Sequence, residues 1–312
     1  MPRKVTHDII HRWEGNPVID INDISFRCAN IYSAGCVKVN GKYIHLITFE
    51  SLNGCTHLYY GESVDGFRIE VDDRPILSPD KTGLLAEYEE RGILDARITP
   101  FDGKYYIIYL GKSKHGFVLC LAETEDFKTI QKRGLISQPD TKAGALFPKK
   151  INGKYARLER PNSGGSIWIS YSHDLLTWGE SEVVLSPRSG YWDAHHIGCS
   201  TVPLEINEGW LVFYYGVKKT SGGFLTRLGT AILDKENPAS KIVGRSNEPV
   251  LSPRELYERI GDIQNLVFSC GAIYEENNAI KLYYGASDNC LYLGTTTLKE
   301  IIDTCFESEK EY

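Results

Sequence analysis

Asp95 and Arg97 stand two residues apart in Gly92-Ile93-Leu94-Asp95-Ala96-Arg97-Ile98-Thr99-Pro100, and in a strand that spacing puts a carboxyl and a guanidinium on one face. Such a pair is either a surface ion pair worth ~0 to 1 kcal/mol or the acid of a site beside a fixed charge. Downstream, Lys142 precedes a basic stretch with Lys149, Lys150, Lys154, Arg157 and Arg160. Arg157 and Arg160 face opposite sides of a strand, so only one can enter a common site. A guanidinium held there suits a phosphate or carboxylate through two-pronged hydrogen bonding, whereas Lys149, Lys150 and Lys154 read as solvated surface charge. The segment Trp192-Asp193-Ala194-His195-His196-Ile197-Gly198 carries two adjacent histidines that a strand points opposite ways, which argues against a shared metal. One of them, protonated, could bind an anion, or it could position a hydroxyl. Ser33 and Asp288 complete the polar set.

These residues come from segments that repeat. Five polar turns, Asn40-Gly41-Lys42-Tyr43, Asp102-Gly103-Lys104-Tyr105, Asn152-Gly153-Lys154-Tyr155, Asn207-Glu208-Gly209-Trp210 and the weaker Asn277-Asn278-Ala279-Ile280, each run into a strand rich in aromatic and branched residues. A second alternating strand often follows, as in HLYYGES and SIWISYS. Hairpins recurring in fixed order at roughly 50 to 70 residues are the mark of an all-β, five-bladed β-propeller, each turn opening one blade. A β-sandwich is the alternative, disfavoured because the units keep one order over nearly the whole chain. Innermost strands point at the central channel, so Ser33, Asp95, Arg97, Lys142, Arg160, His195, His196 and Asp288 are expected to converge at one mouth.

The chain of 312 residues reads as a single domain over 1–312, without a linker or low-complexity tract. A formal net charge of −6 gives no reason to expect nucleic acid or an anionic membrane as partner. The N-terminal MPRKVTHDIIHRWEGN lacks a signal-peptide apolar core and no run of 18 apolar residues occurs, so a cytoplasmic protein is expected. Eight cysteines without paired or zinc-like spacing are expected to be reduced and mostly buried. Trp168 and Trp210 sit in strand patterns that suit packing, and Trp178 closes a turn, so no sugar-stacking platform is assigned.

The succession LDARITPFDGKYYIIY, LFPKKINGKYARLERP, SIWISYSHDLLTWG, GWLVFYYGV, LGTAILDKENP, RSNEPVLSP and VFSCGAIYEENNAIKLYYGASD resembles glycoside hydrolase family 130, the β-mannoside phosphorylases and related β-mannosidases. The resemblance implies a five-bladed propeller that cleaves β-mannosides with inorganic phosphate as co-substrate, inverting the anomeric centre to give α-mannose 1-phosphate. It makes Asp95 the single catalytic carboxylate, a general acid acting through a sugar hydroxyl. Lys142 and Arg160 match the phosphate holders, with His196 and Tyr215 assisting, and Ser33, Arg97 and Asp288 fall to the substrate. The chemistry is consistent, since phosphate is already a nucleophile and needs cations and donors rather than a second carboxylate. No metal or organic cofactor is implied, the partner is an oligosaccharide, and homo-oligomers are common among members.

Four positions depart from the family pattern. His196 stands for a lysine, Tyr215 in Tyr214-Tyr215-Gly216 for a histidine, Thr226 for a tyrosine, and Thr48 for an arginine expected on the first blade's inner strand. Two permanent cations remain, and the replacements can still donate hydrogen bonds. A β-mannosidase using water is the alternative, and it needs a second carboxylate about 6.5 to 9.5 Å from Asp95, for which Glu50, Glu159, Asp193 and Glu205 are available by sequence. A carbohydrate-binding propeller without turnover, with Asp95 only structural, is the other.

Overall fold

Three of the five turns take the tight geometry that their residues favour. Asn40 and Gly41 have φ of 49° and 82°, Asp102 and Gly103 48° and 77°, and Asn152 and Gly153 49° and 79°. Two-residue hairpin loops place both central residues in this left-handed region, which Asn, Asp and Gly tolerate best. The computed structural model describes residues 7–162 and 164–306, and these turns punctuate five small antiparallel sheets.

A short β1 (His11–Arg12) precedes blade 1, built of β2 (Asn30–Val39), β3 (Lys42–Glu50), β4 (Thr56–Ser63) and β5 (Glu70–Leu77). After helix α1 (Gly83–Tyr88), blade 2 follows as β6 (Ile93–Phe101), β7 (Lys104–Ser113), β8 (Gly116–Thr124) and β9 (Gln131–Leu135). Blade 3 is β10 (Thr141–Leu146), β11 (Tyr155–Pro161), β12 (Ile167–Ser172) and β13 (Trp178–Leu185). Blade 4 splits its inner edge into β14 (His196–Cys199) and β15 (Leu204–Ile206), both paired with β16 (Gly209–Thr220), and adds β17 (Gly223–Leu233) and β18 (Ile242–Arg245). Beyond α2 (Leu256–Arg259), blade 5 contains β19 (Val267–Tyr274), β20 (Ala279–Ala286) and β21 (Cys290–Thr297), and α3 (Leu298–Phe306) follows. Its fourth strand is β1, antiparallel to β21 with His11 opposite Thr295, so an N-terminal strand completes the C-terminal blade and closes the ring. The fold is a five-bladed β-propeller, as the repeat implied.

The turns do not open the blades. Each joins the innermost part of a blade to its second strand, at 40–41 between β2 and β3, 102–103 between β6 and β7, 152–153 between β10 and β11, 207–208 between β15 and β16, and 277–278 between β19 and β20. The conspicuous aromatic strands are therefore second strands. They are the most hydrophobic because both faces are covered by neighbouring blades, while β2, β6, β10, β14 and β19 surround the axis and pack on one another. Approach there is close enough to demand glycine: a Cβ at Gly35 would lie 2.3 Å from the Ala96 carbonyl oxygen.

Apolar side chains fill the spaces between blades. Trp210 on β16 is fully buried, meets Phe147 of blade 3 edge-on at 5.1 Å, and donates its indole N–H to the Lys235 carbonyl at 3.0 Å. Burial of side chains of this size stabilises by roughly 1.5–3 kcal/mol each. Trp178 closes its turn by donating to the Leu175 carbonyl at 2.8 Å. None of the eight cysteines forms a disulfide, and seven are buried. Among the described residues no helix is long and apolar enough to cross a membrane.

Candidate active site

One cavity, about 440 Å³ in volume, gathers residues from every blade. Ser33 comes from β2, Asp95 from β6, Lys142 from β10, His196 from β14 and Phe268 from β19, all inner strands. Arg160, Tyr215 and Thr226 reach it from β11, β16 and β17, and Asp288 from the turn after β20. Of the eight residues expected to converge at one mouth, six line this one space, together with Tyr215, which the family pattern pointed to. Arg97 and His195 do not.

Asp95 sits at a β-bulge. The register of β6 on β7 shifts between Leu94 and Arg97, and Asp95 has φ of 57°, a left-handed conformation uncommon for a residue other than glycine. The bulge invalidates the same-face expectation for Asp95 and Arg97. Instead the Arg97 guanidinium, almost wholly buried, donates to three backbone carbonyls: Ser200 at 2.6 Å, Asp95 at 3.0 Å and Cys199 at 3.1 Å. It braces the bulge behind the cavity and stands near enough to favour the Asp95 carboxylate electrostatically. Ser33 donates its hydroxyl to Asp95 Oδ1 at 3.1 Å, leaving Oδ2 without a hydrogen bond among the described residues. Burial raises the Asp95 carboxyl above its ordinary range, against the opposing pull of Arg97, the Ser33 hydrogen bond and Lys142. A proton is thereby easier to keep, as a general acid requires.

Thr48 carries a role that sequence did not reveal. It lies on β3, a second strand rather than the inner strand, and its fully buried hydroxyl accepts the Asp95 backbone N–H at 3.2 Å. That bond holds the bulge from blade 1.

In the same cavity as Asp95, Lys142 and Arg160 are direct cross-strand partners of β10 and β11. Like charges opposite one another destabilise a sheet unless something lies between them. Burial and then Arg160 push the Lys142 ammonium below its ordinary range, and its Nζ lies 3.8 Å from the centroid of the Phe117 ring. Arg160 is 5 % exposed, donates to Asn162 Oδ1 at 3.2 Å, interacts with the Tyr215 hydroxyl, and leaves its buried Nε without a partner among the described residues. Two cations with unused donors facing a cavity form a ready anion cradle.

The two histidines meet, contrary to the strand expectation. His195 precedes β14 instead of continuing it, and the two Nδ1 atoms approach to 2.6 Å, so one ring donates to the other. Burial, followed by Arg160, His195 and Lys142, lowers His196 to about 4. It is therefore a neutral donor or acceptor near pH 7, not the protonated anion binder considered from sequence. Tyr215 lies over the backbone of β14, where a Cβ at Gly198 would fall 2.4 Å from its hydroxyl. Burial raises its phenol, which stays a neutral donor.

Asp288 occupies the other side with φ of 52°. Burial, then the charges of Asp95, Asp262 and Glu50, push it up to about 7 against the pull of Lys112. Lys112 at the end of β7 and Tyr32 beside Ser33 also line the cavity; neither falls in a turn-strand beginning, where sequence reasoning looked. Tyr32 donates to Glu50 Oε2 at 2.5 Å. The four sequence candidates for a water-activating carboxylate are not in the lining. Asp193 is fully buried between Arg188 and Arg245, each 2.9 Å from its Oδ2, Glu159 pairs with Arg157 at 2.7 Å, and Glu205 pairs with Lys149 at 2.6 Å. Glu50 is engaged by Tyr32 and Asn30.

Comparison with known proteins places the chain in a family. The family model described as beta-1,4-mannooligosaccharide phosphorylase matches residues 2–307. The chain belongs to glycoside hydrolase family 130. A beta-1,4-mannooligosaccharide phosphorylase of Ruminococcus albus is 30% identical over 306 residues, 95% of this chain and 90% of the relative. A beta-1,2-mannobiose phosphorylase of Thermoanaerobacter sp. is 36% identical over 244 residues, 77% of this chain and 76% of the relative. Among solved structures, the beta-1,2-mannobiose phosphorylase of Listeria innocua in complex with beta-1,2-mannobiose superposes with a TM-score of 0.86 at 27% identity, covering 95% of this chain and 99% of that one.

Proposed function

We propose that this family 130 member cleaves β-mannosides by inverting phosphorolysis, releasing α-mannose 1-phosphate and a shortened sugar. The observation that carries the reading is the Lys142–Arg160 cross-strand pair, with the Arg160 Nε unpartnered, in one cavity with a single bulge-held carboxyl at Asp95. The activities of the named relatives fit it, since they are phosphorylases acting on β-1,4 and β-1,2 mannosides.

In this reading inorganic phosphate sits between Lys142 and Arg160, with neutral hydrogen bonds from His196 and Tyr215. A phosphate oxygen attacks the anomeric carbon from the face away from the leaving sugar. Asp95 supplies its proton to the glycosidic oxygen by way of a sugar hydroxyl as the carbon–oxygen bond breaks, and the leaving sugar departs neutral. Ser33 orients the acid and Asp288 holds mannose hydroxyls, as donor while protonated and as acceptor throughout. Arg97 acts through the bulge, not on the sugar. We place the reaction in the cytoplasm, where thiols such as these eight unbridged cysteines stay reduced.

Incubation with β-1,2- and β-1,4-mannobiose, each with and without phosphate, tests the proposal by chromatography of the products. Mannose 1-phosphate formed only with phosphate present supports it. Free mannose formed at the same rate without phosphate would select the hydrolytic reading instead.

A further inference from the structure

Thr226 and Arg227 are consecutive on β17, so their side chains leave opposite faces. Thr226 lines the catalytic cavity, whereas Arg227 lines a second one of about 380 Å³. Arg254 and Arg259 line it too, with Ser252, Asn265 and Phe224. No carboxylate is in the lining.

The charges around this cavity do not cancel. Arg254 is held by Asp8 at 3.0 Å, but Asp8 also accepts from Arg12 at 2.9 Å, and Arg12 is matched by Glu258 at 2.7 Å. That group of four is neutral. Arg259 uses its Nε on the Pro253 carbonyl at 3.2 Å and has no acidic partner among the described residues. Among the described residues Arg227 makes neither a hydrogen bond nor an ion pair, although it is partly buried, and burial together with the charge of Arg254 pushes it below its ordinary range against the weaker pull of Asp8. One guanidinium without a partner among the described residues, a second engaged only through its Nε, and a third beside them line one concave space. Bringing them together is unfavourable unless an anion joins them.

We propose that this second cavity is an anion site that takes a phosphate group, either free phosphate or the phosphate of a hexose phosphate. A tetrahedral phosphate offers enough oxygens for the paired donors of several guanidiniums at once, and the volume is in the range of small-molecule sites. Phe224, half exposed at its wall, touches the His195 ring at 5.2 Å, and His195 contacts His196 of the catalytic cavity. An occupant is thus one aromatic contact and one hydrogen bond away from the catalytic cavity.

Calorimetric titration of the full chain with inorganic phosphate, at ionic strength held constant with chloride, provides the test. Two phosphates per chain are expected for the unmodified protein and one for Lys142→Met/Arg160→Met. Adding Arg227→Met to that double variant should weaken the remaining site by about tenfold or more, the loss of at least one charge-assisted bond. Arg259→Met, at an exposed position, gives the same reading should Arg227→Met fail to fold. A double variant that binds no phosphate, or one whose affinity is unmoved by Arg227→Met and Arg259→Met, overturns the proposal. Should the first pair of substitutions leave two sites, the phosphate reading of the catalytic cavity fails while this one stands. Repeating the titration with a hexose 1-phosphate distinguishes the sources: tighter binding than inorganic phosphate assigns the sugar ester, and equal or weaker binding assigns free phosphate.

Discussion

Asp288→Asn should make the protein's stability less sensitive to pH, and the sign and size follow from the environment of that carboxyl. Burial and the neighbouring charges of Asp95, Asp262 and Glu50 raise Asp288 from 3.8 to about 7. A carboxyl raised on folding contributes stability that is fully present below its unfolded value and is lost as pH climbs through the folded one. The window is therefore about pH 4 to 7. A displacement of about three pK units corresponds to roughly 4 kcal/mol at 1.36 kcal/mol per unit. Because the side chain keeps some contact with solvent, about half of that, ~2 kcal/mol, is the working figure. Asparagine preserves shape and hydrogen bonding but cannot ionise. Urea unfolding of both proteins at several pH values from 4 to 8 gives the difference directly, with other titrating groups cancelling. The variant should gain about 2 kcal/mol on the parent between the ends of the range. A difference that stays flat, or one that falls as pH rises, would refute the assignment of a neutral Asp288.

Further outcomes follow from the same geometry. Asp95→Asn should lower turnover by about 10²- to 10⁴-fold, the usual worth of a general acid, while sugar binding measured by calorimetry and the melting temperature are retained or improved. Arg160→Met should raise KM for phosphate by about 10- to 100-fold, corresponding to the loss of a charge-assisted bond, with little change in mannoside KM; steady-state kinetics with phosphate varied would show it. Thr48→Val leaves the Asp95 N–H unsatisfied and should cost about 1–3 kcal/mol in urea unfolding, with kcat reduced more than KM. Asp193→Asn uncouples Arg188 and Arg245 outside the cavity lining and should destabilise by about 3–5 kcal/mol, visible as a lowered Tm, while folded protein remains active.

The architecture was legible in the sequence because turn chemistry is local. Asn-Gly and Asp-Gly pairs declare three tight hairpins, and five polar turns recurring in order declare a ring. What they could not declare was which side of each turn faces the axis, because the aromatic strands that stand out are those covered on both faces. Convergence of Ser33, Asp95, Lys142, Arg160, His196, Tyr215 and Asp288 in one cavity followed from blade order and the family pattern. Misplacement of Arg97 came from the bulge at Asp95, a one-residue irregularity that reverses side-chain alternation and has no sequence signature of its own. The His195–His196 contact escaped for a related reason, since the strand begins only at His196. Thr48 looked like a lost arginine, and only the three-dimensional register shows its hydroxyl under the catalytic segment. Lys112 and Tyr32 lie where no repeat pattern points.

The central claim is that the space between Lys142 and Arg160 receives the phosphate that attacks a mannoside protonated by Asp95. A crystal structure of Asp95→Asn soaked with β-mannobiose and phosphate tests it most directly. Phosphate is expected against the Arg160 guanidinium and the Lys142 Nζ, on the face of the mannose ring opposite the leaving sugar. Phosphate bound elsewhere while the sugar occupies the cavity, with water alone beside the anomeric carbon, would contradict the account.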